Sequence, residues 1–320
     1  MNEKTMNMNL EEFTERVAES VRKKMPQMEI KTVQQKKNNG VSKLGICMEK
    51  KKGEDGWSAN PILYLDDIYS KVQKMEQIEM VADKMIECYE TKLKKGLDLH
   101  HIVDVLDYEK SKSRLYPKLI STKENKELLS DVPHKNILDL SLVYYLRCDS
   151  SELGASATSL VTNRQLETWV VDVKQLHRDA FENAKKETIF YPLGSWLALL
   201  NEKGMLELRK QFPHIEEIKE IRDADMYVLH NRNGLYGASA LFCQNVCDKI
   251  AYLLKCNFYL IPSSIHEWIL VPEREWQGRE DSLHELSEMV RTVNREQVDP
   301  EEVLSDHAYY YDIQEKAFRW

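Results

Sequence analysis

The sequence predicts an α+β fold with a mostly antiparallel sheet and flanking helices. Several long segments place apolar residues at helical spacing, and short extended runs are separated by turn signals such as Asn39-Gly40. In the last hundred residues the predicted order is β-β-α-β-β-α-α-β, in which neighbouring strands are joined closely enough to pair antiparallel. The chain has 320 residues, of which 42% are hydrophobic and 31% charged, so it resembles an ordinary globular protein.

The N-terminal region predicts a helix, a hairpin, a short strand and a long helix. Asn9 is a good N-cap with Glu12 three residues later, and Pro26 ends the first helix. Asn-Gly turns favour hairpins because both central positions tolerate positive φ. The expected elements are a helix from Asn9 to Pro26, strands over 29–34, 41–49 and 62–65, and a helix over 67–94.

The middle of the chain mixes strands and helices. A run rich in Leu, Val and Tyr over 137–148 predicts a buried strand, and 157–162 is expected to pair with it. Asp172 begins a helix with Gln175 as its capping partner, and a second helix over 201–212 ends at Pro213.

The C-terminal lobe carries the clearest signals. Ser282 with Glu285, and Asp299-Pro300, each predict a helix start. The expected elements are strands over 226–231 and 237–242, a helix with Val246, Ile250, Leu253 and Leu254 inward, strands over 257–261 and 268–271, two helices and a strand over 307–312. The predicted regions are 1–110, 111–221 and 222–320, which could form one continuous fold.

Charge and composition exclude several function classes. The chain has 45 basic and 53 acidic residues, a net charge of −8, which disfavours duplex nucleic acid as a partner. No apolar run is long enough to cross a membrane. The six cysteines form no CxxC pair and no signal peptide is visible, so free thiols in the cytoplasm are expected.

Two sequence blocks suggest a family. They are Pro-Ser-Ser-Ile-His-Glu at 262–267 and Pro-Glu-Glu-Val-Leu-Ser-Asp at 300–306. Together with residues 8–13, 235–240, 258–261, 271–272, 293–294, 297–298 and 309–312, they resemble a bacterial family catalogued as a domain of unknown function. The resemblance implies a source among low-GC Gram-positive bacteria, and it implies no activity.

The block at 262–267 also contains the best catalytic candidates. A hydroxyl of Ser263 or Ser264, the imidazole of His266 and the carboxylate of Glu267 are the groups of a nucleophile, a base and an orienting acid. In an extended backbone Glu267 points away from His266, so Asp306 or Glu302 would have to supply the third group. The alternative is a turn whose hydroxyls bond backbone groups.

Other motifs are incomplete. Leu270 stands where a zinc-protease motif needs its second His, and Leu241 stands where a nucleophile elbow needs Gly. No Walker loop or GxGxxG sequence is present, so no nucleotide cofactor is predicted. Two partial ligand sets lack the residues that would complete a metal site, so no metal is predicted; they are Cys243, Cys247 and Cys256, and His100, His101 and Asp104.

These observations favour a soluble, cytoplasmic, non-enzymatic binding or regulatory module that presents the 262–267 loop to an unknown protein or small-molecule ligand. The alternative is a hydrolase-like enzyme with Ser264 or Ser263 as nucleophile and His266 as base. A third hypothesis is weak nucleic-acid binding through the basic N-terminal hairpin. That hypothesis requires Lys36, Lys37, Lys43, Lys50, Lys51 and Lys52 to lie on one face.

Overall fold

The computed structural model describes residues 8–50, 62–72, 74, 77–93, 107–149, 156–194, 224–276 and 281–320. The chain divides into two compact units. The first comprises residues 1–110 and 148–157, and the second comprises 111–147 and 158–320. The three-part division expected from the sequence stays a prediction.

The first unit packs two helices on a small antiparallel sheet. Its elements are α1 (Leu10–Lys24), β1 (Met28–Lys36), β2 (Ser42–Lys50), β3 (Ile62–Tyr64), α2 (Asp66–Tyr69) and α3 (Gln77–Cys88), which continues as a π-helical turn over Tyr89–Leu93. The strand order is β1-β2-β3. Apolar side chains of α1, β2 and α3, including Phe13, Ile46 and Ala82, are fully buried in its core.

Local signals in this unit are confirmed. The side chain of Asn9 accepts the Glu12 amide at 2.8 Å and caps α1. The turn between β1 and β2 places Asn39 at φ 59° and Gly40 at φ 69°, as the Asn-Gly pair predicts.

The continuous helix expected over 67–94 is wrong, because it is interrupted between Tyr69 and Gln77. The Ser70 hydroxyl donates to the carbonyl of Asp67, and the side chain of Gln77 accepts the Lys74 amide. These side-chain bonds compete with helix continuation. Met75, within the expected helix, lies outside the described residues.

The remaining elements belong mostly to the second unit. They are α4 (Tyr108–Ser111), β4 (Leu115–Ser121), α5 (Lys126–Asp131), β5 (His134–Ile137), β6 (Leu140–Asp149), β7 (Ser156–Leu160), α6 (Asn163–Trp169), α7 (Val173–Glu187), β8 (Thr188–Pro192), β9 (Tyr227–Asn231), α8 (Val246–Leu254), β10 (Phe258–Ser264), β11 (Glu267–Pro272), α9 (Ser282–Gln297), β12 (Tyr309–Asp312) and β13 (Ala317–Arg319).

Two antiparallel sheets form the frame of the second unit. The larger has the order β13-β12-β10-β11-β9-β8, and the smaller has the order β4-β6-β5 with β7 also paired to β6. The α+β class and the antiparallel pairing are therefore confirmed. Trp268 of β11 is fully buried, and its indole N–H donates to the carbonyl of Ala238 at 2.7 Å.

The buried strand expected over 137–148 is confirmed as β6, and β7 pairs with it, but β6 begins at Leu140 because Leu138 adopts φ 57° and turns the chain between β5 and β6. Two other predicted elements of this unit take other forms. Gly237–Phe242 is a 3-10 helix and not a strand. The helix expected at Asp299 stops after one turn, in which the Asp299 side chain accepts the amide of Glu301.

Two further details differ at the chain's C-terminal end. Ser282 is the first residue of α9 and not its cap, because its neighbour Asp281 occupies the cap position. The sequence does not predict β13, the last strand of the final hairpin.

The helix expected over 201–212 lies outside the described residues.

Candidate functional site

The 262–267 block forms a tight β-hairpin and not the loop predicted from the sequence. Ser264 pairs with Glu267 across β10 and β11, so only Ile265 and His266 lie in the turn. The amide of Ile265 donates to the carbonyl of Glu302 at 2.8 Å, and the carbonyl of Ile265 accepts the Ala238 amide at 3.3 Å. The turn is therefore held from both sides by distant segments.

Both ring nitrogens of His266 have partners. Nδ1 accepts the backbone N–H of Tyr236 at 2.9 Å, and Nε2 lies 3.3 Å from Oε1 of Glu302. Because an amide N–H can only donate, Nδ1 carries no proton in this geometry, and the ring proton lies on Nε2. Of the two acids that the sequence offers, Glu302 and Asp306, Glu302 is the one that contacts the ring.

The serines bond other groups. The hydroxyl oxygen of Ser264 accepts the backbone N–H of His266 at 3.0 Å, and the Ser263 hydroxyl donates to Glu267 at 3.2 Å. Asp306 accepts from the side-chain amide of Asn294 at 2.9 Å. Within the part of the chain that the structure describes, the partners of the imidazole are an amide and a carboxylate, and neither is a serine hydroxyl.

Tyr236 is the centre of the site. Its ring stacks on the His266 ring with centroids 5.5 Å apart and an interplanar angle of 11°. The Tyr145 ring meets it edge-on at 4.9 Å, and the Lys118 ammonium lies 4.3 Å from its centroid. We call these residues with Glu302 and Thr158 the Tyr236 cluster. Burial raises the pKa of the Tyr236 phenol, Glu301 and Glu302 raise it further, and a hydrogen bond with Thr158 lowers it.

The backbone of Tyr236 is strained. It adopts φ 56° and ψ 30°, a left-handed conformation that costs a residue with a Cβ about 1–2 kcal/mol. The side chain of Asn231 donates to the carbonyl of Leu235 at 2.8 Å, and Ser239 donates to the carbonyl of Tyr236 at 3.0 Å. These bonds hold the segment in this shape and aim the Tyr236 ring at His266.

A largely buried ion pair lies on the same face of the small sheet as Lys118. Tyr116 pairs with Tyr145 across β4 and β6, and Arg147 is two residues further along β6. The guanidinium of Arg147 contacts both carboxylate oxygens of Glu187 at 2.7 and 2.8 Å and lies 4.1 Å from the centre of the Tyr116 ring. This network fixes the strands that carry Lys118 and Tyr145.

Sequence reasoning missed Lys118, Tyr145 and Tyr236. One usable signal is Arg147, a charged residue inside an apolar run, since a buried charge requires a partner. Nothing local in the sequence marks Tyr236, because its imidazole partner lies 30 residues away.

The cysteines are bonded within the core. Cys243 lies 3.7 Å from the Thr188 hydroxyl, and the Cys247 thiol donates to the carbonyl of Leu241. Burial raises the pKa of Cys243 to about 11 and that of Cys247 to about 12, which makes both thiols poor nucleophiles at neutral pH. The described residues contain no group of three or more His, Cys, Asp or Glu suited to a metal ion. His100, His101 and Asp104 lie outside them.

The single basic face required for nucleic-acid binding does not form on the hairpin. Lys43 pairs with Gln35, so Lys36 of the same strand as Gln35 lies on the opposite face from Lys43. Lys51 and Lys52 lie outside the described residues.

The tyrosines of β12 alternate in burial, as the side chains of a β-strand do. Tyr309 and Tyr311 are buried, and Tyr310 between them is partly exposed.

Comparison with known proteins identifies a family. A family profile matches residues 10–313, nearly the whole chain. No curated protein and no solved structure shows significant similarity. Among the described residues, no helix combines the length and apolar character needed to cross a bilayer. The resemblance to a family of unknown function is thereby confirmed, the bacterial source stays a prediction, and the chain belongs to DUF5688, a family of unknown function.

Proposed function

We propose that the protein is a non-enzymatic binding module whose ligand contacts the Tyr236 cluster. The observation that carries this proposal is the bonding of His266, whose two ring nitrogens meet the Tyr236 amide and the Glu302 carboxylate. A general base must reach the proton that it removes. Here the imidazole serves as a stacking partner for an aromatic ring, which supports recognition over hydrolysis.

The strained backbone of Tyr236 supports a functional role. Such conformations persist only where the surrounding structure enforces them, and they concentrate at binding and catalytic sites. A glycine or asparagine would adopt φ 56° with less strain, yet a tyrosine stands there and stacks its ring on the His266 imidazole. The strained backbone therefore positions a particular side chain, the Tyr236 ring, in addition to forming a turn.

The chemistry of the cluster favours a small polar ligand. The side chains of His266 and Glu302 are 22% and 44% exposed, so both can be reached from solvent. A planar group can contact the exposed part of the Tyr236–His266 stack, and a ligand hydrogen-bond donor can bond the Glu302 carboxylate. Aromatic surface with a few polar groups is typical of small-molecule sites. A cytoplasmic location is part of the same proposal.

Amide chemical-shift mapping with a panel of amino acids, nucleotides, sugars and polyamines tests the proposal. A ligand is expected to shift amides at 232–237, 264–267 and 301–303. Tyr236→Asn removes the ring while tolerating the left-handed backbone, and we expect affinity to fall at least about tenfold, or 1.4 kcal/mol.

The matched control is Val170→Asn, another left-handed position whose side chain is 90% exposed. It should leave binding unchanged. Shifts confined to other surfaces, no response to any compound, or turnover of an ester panel that Ser264→Ala abolishes would each contradict the proposal.

A further inference from the structure

His307 has the opposite hydrogen-bonding environment from His266. Its Nδ1 lies 3.0 Å from the carbonyl oxygen of Ala308, and its Nε2 lies 3.0 Å from Oδ2 of Asp139. Both neighbours are acceptors, and only an imidazolium can donate from both nitrogens at once. The geometry therefore matches a charged ring at His307, whereas the environment of His266 matches a neutral one.

Asp139 joins His307 to the start of β12. Its Oδ1 accepts the hydroxyl of Tyr309 at 2.7 Å while Oδ2 meets His307. Asp139 lies in the turn between β5 and β6, 168 residues away in sequence from His307. One carboxylate thus fastens the segment over 298–308 to the smaller sheet.

The groups around His307 together favour the protonated form of its ring. Asp139 faces the ring directly and Asp306 precedes it in the chain, while Arg291 of α9 opposes the charge. Burial lowers the pKa of His307, but the bonds to Asp139 and Ala308 outweigh it, so the pKa is raised. Burial likewise opposes ionisation of Asp139, yet the bonds from His307 and Tyr309 leave its pKa lowered.

The fastened segment also supplies Glu302 to the Tyr236 cluster. The carbonyl of Glu302 accepts the Ile265 amide, and its carboxylate meets His266. Leu304, between Glu302 and His307, is buried in the core, which makes the intervening chain a short and well-packed link.

We propose that protonated His307 is a pH-sensitive clamp that holds the 298–308 segment against Asp139 and thereby keeps Glu302 in place beside His266. The idea that this clamp controls ligand binding rests on the function proposed above. The clamp between His307 and Asp139 does not depend on that function. The clamp is complete below the ordinary His pKa of about 6.5 and is lost as pH rises through the raised pKa of His307. It is lost again at low pH as Asp139 protonates below its ordinary pKa of about 3.9.

The first test compares the parent with His307→Gln, which can still donate to Asp139 but carries no charge. Thermal unfolding at pH 6 should show the variant melting about 2–4 °C below the parent, and the difference should narrow as the pH rises toward 9. The matched control is His284→Gln, because His284 pairs with Glu288 at 3.9 Å on the exposed face of α9. A His307→Gln difference that is the same at both pH values would overturn the clamp.

A second measurement follows the 298–308 segment in the parent protein. It needs no variant, so a folding defect in His307→Gln cannot affect its result. Hydrogen exchange of the parent, corrected for the intrinsic pH dependence, should show faster opening of residues 302–308 at pH 9 than at pH 6. Unchanged opening would contradict the proposal.

Ligand affinity then separates the two proposals. A ligand of the Tyr236 cluster should bind the parent more weakly at pH 9 than at pH 6, and His307→Gln should lose most of that pH dependence. If binding occurs with the same pH dependence in both proteins, the control by His307 is wrong and the proposed function stands. If the clamp titrates and no compound binds the cluster, the proposed function fails and the clamp stands.

Discussion

Glu187→Gln is expected to destabilise the protein by about 3 kcal/mol, the lower end of the range for buried pairs, because it removes the carboxylate opposite the largely buried guanidinium of Arg147. The two side chains are only 11% and 19% exposed, so solvent screens the remaining charge weakly. Arg147 also donates to the hydroxyl of Tyr116. When the side-chain amide of Asn233 is turned so that its oxygen faces the guanidinium, that oxygen accepts a hydrogen bond from Arg147 at 2.7 Å. These neutral partners cannot replace a carboxylate that accepts hydrogen bonds from both terminal nitrogens of the guanidinium.

Urea unfolding of the parent and the variant measures this loss. The control is Glu15→Gln, which breaks the exposed Arg22–Glu15 pair and should cost less than about 1 kcal/mol. Replacing both partners, as Arg147→Met with Glu187→Leu, should recover much of the stability, since apolar pairs of similar volume tolerate such sites. Equal small losses for Glu187→Gln and Glu15→Gln would show that the Arg147 pair is not buried as described.

Gly237→Ala should cost about 1–3 kcal/mol and disrupt the Tyr236 cluster. A Cβ at this position would lie 2.6 Å from the carbonyl oxygen of His266 and 2.7 Å from the backbone nitrogen of Asn231. Both obstacles are backbone atoms, so the 236–238 segment must move away from the hairpin turn. That movement lengthens the bond from the Tyr236 amide to His266.

Gly194→Ala is the matched control for this substitution. Among the described residues, a Cβ added at Gly194 meets no atom within 4 Å, so the stability of this variant should stay within about 0.5 kcal/mol of the parent. Chemical unfolding gives the loss of stability, and the amide resonance of Tyr236 reports the broken bond. A Gly237→Ala variant with parental stability and an unchanged Tyr236 resonance would contradict the close approach.

The sequence could predict the elements whose causes are local. Asn9 and Asp172 cap their helices as predicted, since a capping residue and its target amide are three residues apart. The strand expected over 137–148 forms but begins at Leu140, because Leu138 takes a left-handed turn that apolar composition does not mark. The short run Gly237–Phe242 is apolar enough for either a strand or a helix. Its choice depends on distant contacts such as the Trp268 bond to Ala238.

The candidate site divides in the same way. The sequence alone identifies the polar residues of the hairpin, which are Ser263, Ser264, His266 and Glu267. It also predicts, from the alternation of side chains along a strand, that Glu267 points away from the His266 ring. What those groups do is decided by Tyr236 and Glu302, which lie 30 and 36 residues from His266. Contacts at that separation depend on how the hairpin packs, and a single sequence carries no local signal for them.

The protonation of the two histidines tests the central claim most directly. In two-bond nitrogen–proton spectra of protein labelled with 15N-histidine, the neutral ring of His266 should carry its proton on Nε2 and none on Nδ1. At pH 6, His307 should carry protons on both nitrogens. A proton on Nδ1 of His266 would contradict the account, because the Tyr236 amide could then not bond the ring and the imidazole would be available to another group.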